Sequence, residues 1–165
     1  MDALLDRDVE LAELGRRLGP VRTGSGRMIV VEGPAGIGKS TLLAAISQTA
    51  QRDGVTALRA RCSPLEQDAA WGMARQLFEP LRTRPGWADL TVGAASLAER
   101  VLAAEAEQPV LAGDAMHAAV RGLVWLASNL GERGATVLVI DDVHWADAPS
   151  LTCCTPSRRV RRPRS

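Results

Sequence analysis

The chain of 165 residues has only three cysteines, Cys62 and the adjacent pair Cys153 and Cys154. The count is odd and the spacing matches neither metal-ligand nor redox motifs, so a disulfide scaffold is excluded and reduced, inert thiols are expected. No apolar run approaches the ~18 residues of a membrane span. The first residues, MDALLDRDVE, lack a basic segment followed by an apolar stretch, so no secretory signal is visible and a cytoplasmic location is expected. No internal repeat is found. There is a single lysine, Lys39, against 19 arginines. Five of those arginines fall in residues 151–165, which hold no acid, leaving residues 1–150 with 15 basic and 19 acidic groups. The body of the chain is therefore no polyanion binder.

What is present describes an ordinary globular domain. Apolar residues make up 46% and charged residues 24%, which excludes a disordered chain. The length suffices for one domain. Val9, Leu11, Leu14 and Leu18 recur at helical spacing and predict a helix over 8–18. A glycine-rich loop, VRTGSGR at 21–27, precedes MIVVEG at 28–33, whose continuous β-branched run predicts a buried strand. A helix follows from near Gly38 to Arg52, with Leu42, Leu43 and Ile46 on one face. VTALRA at 55–60 predicts a strand. Trp71, Ala74, Leu77, Phe78 and Leu81 predict a core-packed helix, broken by Pro80 and Pro85. Alanine-rich residues 95–107 predict a weaker helix, and Met116, Val120, Leu123, Val124 and Ala127 a longer one that ends near Gly131. ATVLVID at 135–141 reads as a central parallel strand covered on both faces. Strands alternating with helices predict an α/β three-layer sandwich with a mainly parallel sheet.

Two motifs carry chemistry. Residues 33–40, GPAGIGKS, satisfy G-x-x-x-x-G-K-S/T between a predicted strand and a predicted helix, the context of a phosphate-binding loop. Glycines at 33, 36 and 38 let backbone N–H groups converge on a phosphate where a Cβ would obstruct. Gly33, Pro34, Ala35, Gly36, Ile37, Gly38, Lys39, Ser40 and Thr41 are therefore the expected nucleotide-binding residues. Lys39 would reach the β- and γ-phosphates, the Ser40 hydroxyl would ligate Mg2+, and Thr41 could bond the α-phosphate. The second motif is VLVIDDVHWAD at 137–147, an apolar strand ending in two acids. Asp141 is expected to hold Mg2+, and Asp142 to orient or deprotonate an attacking water. In the loop that follows, Trp145 is read as an anchor in preference to a His144/Asp147 metal site. Arg121 and Arg133 are arginine-finger candidates only by proximity to this motif, against the alternative of solvated surface arginines.

MDALLDRDVELAEL, GPAGIGKSTLL, the run from Leu65 to Leu81 containing RQLFEPL, and VLVIDDVHWADAPSL together resemble the ATP-binding region of large LuxR-type transcriptional regulators. These belong to the STAND class of signal-transducing P-loop ATPases, related to the AAA+ enzymes. The resemblance covers about residues 3–151, with the blocks in the family's order. It implies an ATP-driven switch whose cofactors are ATP and Mg2+. It also implies a full-length protein that meets DNA through a C-terminal helix-turn-helix lying outside this chain, and that can oligomerise on ATP binding. Asp141 matches the family's magnesium-associated acid and Asp142 its catalytic carboxylate, often Glu in relatives. The shorter aspartate implies slow hydrolysis, which suits a switch. The Gly-Arg-Glu segment that lies near adenine in relatives reads Asp6-Arg7-Asp8 here, so its glycine is absent.

The expected domain is 1–151, followed by an irregular arginine-rich tail at 152–165. In relatives the next strand lies between the phosphate-loop strand and the DDVHWAD strand, and a helical lid follows. TCCTPSRRVRRPRS provides neither, so unpaired backbone groups costing about 1–3 kcal/mol each when buried are expected. Shifting the reading frame back one nucleotide at codon 151 yields an amphipathic helical pattern, which predicts that the tail is a frameshift product. The rival reading makes RRVRRPR a nucleic-acid arm. At the level of function, a truncated remnant that catalyses nothing, or the same module coupled to a cyclase or kinase, stand as alternatives.

Overall fold

The computed structural model describes residues 8–18, 26–67, 69–103 and 111–154. The Asp6-Arg7 pair, most of the 21–27 loop, the end of the 95–107 helix and residues 155–165 lie outside them, whereas residues 152–154, expected to open the irregular tail, are helical. Helix α1 covers Asp8–Leu18, α2 Lys39–Arg52, α3 Gly72–Phe78, α4 Trp87–Leu90, α5 Glu99–Leu102, α6 Asp114–Arg133 and α7 Ala148–Cys154. Strand β1 is Thr56–Arg61 and β2 is Thr136–Asp141. Short 3-10 turns occupy 64–66, 79–81, 93–98 and 143–145. The helix expected over 69–81 is thus α3 plus a 3-10 turn that begins where Pro80 removes an amide donor. The one expected over 95–107 opens as a 3-10 turn before α5. Among the described residues, no helix is long and apolar enough to cross a membrane.

β1 and β2 pair in parallel, from Thr56 opposite Thr136 to Arg61 opposite Asp141. Period-two alternation gives this pair two distinct faces. Leu58, Ala60, Leu138 and Ile140 meet the main core, which includes Trp71, Leu77 and Phe78 of the α3 region and Leu123 and Leu126 of α6. Arg59, Arg61, Val139 and Asp141 lie on the other face, the side α2 packs against. The chain is therefore α/β but mostly helical, with a two-stranded parallel sheet where a broader sheet was expected.

Residues 28–33 do not form the expected buried strand. Residues 26–34 carry no strand, and Met28 and Val30 are 59% and 67% exposed. Ile29 and Val31 instead pack against a small separate cluster of Leu14, Leu42 and Ile46, on α1 and α2. The physical reason is pairing. A strand exists only by hydrogen-bonding to a neighbour, and among the described residues β1 and β2 have only each other. For the same reason β2, read as a central strand, has one ladder partner among these residues.

The core closes tightly where α6 crosses the 93–98 turn. A Cβ built on Gly122 would strike the Ala98 amide nitrogen and lie 2.7 Å from the Leu97 carbonyl carbon. Both obstacles are backbone, so glycine is required for the approach.

Candidate functional site

The loop before α2 has the conformation its glycines predict. Gly36 and Gly38 take φ of 79° and 87°, the left-handed region that disfavours a side chain. Gly38 is the N-cap of α2 and its carbonyl accepts from the Leu42 amide at 3.0 Å. No side chain caps this end, so the first-turn amides and the partial positive charge of the helix N-terminus are available to an anion. Lys39 folds back over the loop, its Nζ donating to the carbonyls of Gly33 at 2.8 Å and Pro34 at 2.9 Å. The ammonium is thereby held above the glycine turn. Ser40 and Thr41 are exposed beside it.

The acids arrive from the other end of the chain. Asp141 closes β2, buried, with its Oδ1 accepting from the Asp142 amide at 3.1 Å. Asp142 takes the left-handed conformation at φ 51°, which Asp tolerates better than most residues, and its carbonyl accepts from the Trp145 amide at 2.9 Å. A cavity of about 410 Å3 is lined by Ser40, Arg59, Ala60, Arg61, Gln76, Val139 and Asp141. Ser40 and Asp141, the residues expected to share a Mg2+ ion, therefore both line this space, although about a hundred residues separate them in sequence. Asp142 flanks this lining without joining it.

Three lining residues escaped the sequence reading. Arg59 and Arg61 alternate along β1 and so share the cavity face, a placement that period-two spacing in VTALRAR could have revealed. Gln76 is legible only from the fold. Its Oε1 accepts from the Arg61 amide at 2.8 Å and its Nε2 donates to the Arg61 carbonyl at 3.1 Å, so the side-chain amide stands in for a ladder neighbour. The arginines considered earlier lie elsewhere. Arg121 is exposed, and Arg133 donates to the Gly86 carbonyl at 3.0 Å and to Asp89 at 2.9 Å.

Asp147 enters the sequence analysis only with His144, in the disfavoured metal reading. It is buried and organises the wall behind the cavity. Its Oδ1 accepts from the Trp71 amide at 2.8 Å and the Ser150 amide at 2.9 Å, and its Oδ2 from the Met73 amide at 3.3 Å. One carboxylate thus caps α7 and also holds the start of α3. Ser150 adds a bond, its Oγ accepting from the Ala74 amide at 3.1 Å. Trp71, at φ 69° and with none of its surface exposed, is held in the left-handed region by this bracket. The cue lay in DAPS at 147–150, an N-cap acid with proline in the first turn. Trp145 is half-buried against the main core, tilted on His144 with ring centres 5.0 Å apart.

Comparison with curated proteins and with solved structures gives no match. The profile of a family described as the AAA ATPase domain matches residues 3–155, nearly the whole chain. The chain therefore belongs to the AAA ATPase domain family, which supports a nucleotide-binding P-loop region.

Proposed function

We propose that the chain is the nucleotide switch of a LuxR-type transcriptional regulator of the STAND class, binding ATP with Mg2+ and hydrolysing it slowly. The regulator assignment rests on the sequence resemblance, and the observation that carries its ATP and Mg2+ part is the shared cavity: Ser40 at the start of α2 and Asp141 at the end of β2 line one space. A hydroxyl and a carboxylate are hard oxygen donors, the donor set Mg2+ takes, so the residues fit the ion. Bound Mg2+ would supply charge neutralisation at the β- and γ-phosphates. Lys39, already poised above the loop, exchanges its two carbonyl acceptors for phosphate oxygens. Gly33 through Thr41 surround the phosphates, with backbone N–H groups from each of these residues except Pro34, and Asp142 positions the attacking water. Arg59 and Arg61, across the cavity, add positive charge to the same space.

Lys39→Ala is expected to abolish measurable ATP binding by calorimetry. Asp142→Asn is expected to retain binding and lose phosphate release. Equal ATP affinity in the Lys39 variant would sink the reading.

A second reading has its own support. Residues 26–34, which lead into the phosphate loop, are outside the sheet, and a loop without that anchor suits a module that binds nucleotide and turns none over. Single-turnover phosphate release separates the two. A rate above the solution background that disappears in Asp142→Asn favours the ATPase, and binding without release favours the non-catalytic module. The attachment of this module to a cyclase or kinase output is the remaining alternative, and operator binding by the full-length regulator tests it.

A further inference from the structure

The last turn of α7 carries two adjacent thiols that the nucleotide reading does not use. Cys153 and Cys154 are free, half-buried, and packed against the main core, with Sγ atoms 3.9 Å apart. Cys153 Sγ also lies 2.9 Å from the Ser150 carbonyl oxygen, so its one hydrogen can serve that acceptor or the Cys154 sulfur. The hydrogen bond between the two thiols holds Cys154 below its ordinary range, against the opposing effects of burial and Asp147. The same bond, with burial, drives Cys153 up. Asp147 is thus the charged group bearing on both. The pair consists of one sulfur inclined to ionise and one that keeps its hydrogen, side by side. Neither lines the nucleotide cavity.

We propose that Cys153 and Cys154 form a chelating dithiol site for a trivalent thiophilic metalloid, arsenic or antimony in the three-valent state. The spacing discriminates among the partners such a pair could take. A disulfide needs an S–S length of about 2.05 Å, so a 3.9 Å gap must close by half, at the expense of the helical turn. A single bridging atom needs no such closure. Two bonds that meet at one bridging atom hold their sulfurs far wider apart than an S–S bond does, nearer the observed gap. Zinc asks for four ligands, and among the described residues no group of three or more His, Cys, Asp or Glu is placed to hold a metal. Asp147, the nearby acid, has both oxygens committed to the amides of Trp71, Met73 and Ser150. A trivalent metalloid is content with two sulfurs and one group that it brings with it.

The reaction balances without an oxidant. An organoarsenic oxide, R–As=O, meets two thiols. Both S–H bonds and the As=O bond break, two As–S bonds form, and the two hydrogens leave with the oxygen as one water. Arsenic remains trivalent throughout. Cys154, the more readily ionised sulfur, attacks first, and Cys153 closes the ring.

The test uses the full chain, kept reduced, with phenylarsine oxide as the probe and intact-mass spectrometry as the readout. One phenylarsenic group per chain is expected, in place of two thiol hydrogens. It should survive excess of a monothiol such as mercaptoethanol and be removed by dimercaptopropanol, because only a chelate resists single thiols. Cys62→Ser should keep the adduct. Cys153→Ser and Cys154→Ser should each lose it while their far-ultraviolet circular dichroism stays that of the parent. Should either serine variant unfold, the corresponding alanine variant carries the same measurement. An adduct stripped by monothiol from the parent chain, or one retained in a folded Cys153 variant, overturns the proposal.

Discussion

The two walls of the candidate site are built differently. The wall that carries Asp141 is tied into the main core at every point: β1 and β2 pair along six residues each, Gln76 grips the β1 end, and Asp147 joins α3 to α7. Among the described residues, the wall that carries the phosphate loop has α2 behind it and no ladder in front, and its apolar residues Ile29 and Val31 pack against the small cluster at Leu14, Leu42 and Ile46. The acids are therefore preorganised, and the phosphate loop is held by one helix and by the bonds of its own lysine. Local stability follows the density of such ties. Native-state hydrogen exchange should show this directly, with amides 57–60 and 137–140 protected by several orders of magnitude more than amides 28–32. Comparable protection on both sides would dissolve the contrast.

The firm wall should break most readily at Asp147. Asp147→Ala leaves the Trp71 and Met73 amides without acceptors in a buried place, at about 1–3 kcal/mol each, and removes the α7 cap as well. A total of about 3–5 kcal/mol is expected in urea denaturation. Against typical domain stabilities of ~5–15 kcal/mol, that threatens the fold itself. Asp147→Asn keeps an oxygen acceptor and should cost less than the alanine variant. If alanine and asparagine cost the same, the bracket is not what holds α3 to α7.

Gly122→Ala probes the same wall from behind. Alanine favours a helix by about 1 kcal/mol over glycine, yet the new methyl meets the backbone of Leu97 and Ala98, and overpacking costs typically 1–3 kcal/mol. Backbone has no rotamer to yield, so the clash wins and a net loss of about 1–2 kcal/mol is expected. Gly131→Ala is the control in the same helix, because a Cβ there meets nothing within 4 Å. It should stabilise by up to about 1 kcal/mol.

What the sequence discloses divides along the same line. The phosphate loop, α2, β1 and β2 were legible because each has a local cause: glycines where φ turns positive, a short apolar run, a 3.6-residue stripe. MIVVEG was misread for lack of any local cue to pairing. Its apolar run is as good as that of TVLVID, and what separates them is whether another strand lies alongside, which no window on one segment contains. Arg59 and Arg61 were within reach, since alternation alone places them together, but which helix that face meets had to come from the fold. Gln76 and the Trp71–Asp147 bond were out of reach, because a side chain that completes a distant backbone leaves no periodic trace. Asp147 itself was half-legible, its capping pattern visible and its second partner 76 residues away not.

The smallest predicted effect tests the soft wall. Val30 is 67% exposed, so Val30→Ser removes little buried apolar area, and surface substitutions of this kind usually fall within about 0.5 kcal/mol. Were residues 28–33 instead a buried strand in solution, the same change would strip a core side chain and set a hydroxyl in its place, at about 2 kcal/mol or more. Leu58→Ala on β1, where the side chain is buried in the main core, supplies the scale at about 2–5 kcal/mol. Denaturation midpoints for the pair, with and without ATP and Mg2+, separate two states of this segment. A Val30 variant neutral without nucleotide and costly with it would mean that binding draws the phosphate-loop wall into order. A cost equal in both conditions would mean that the segment is already buried and that the asymmetry between the walls is wrong.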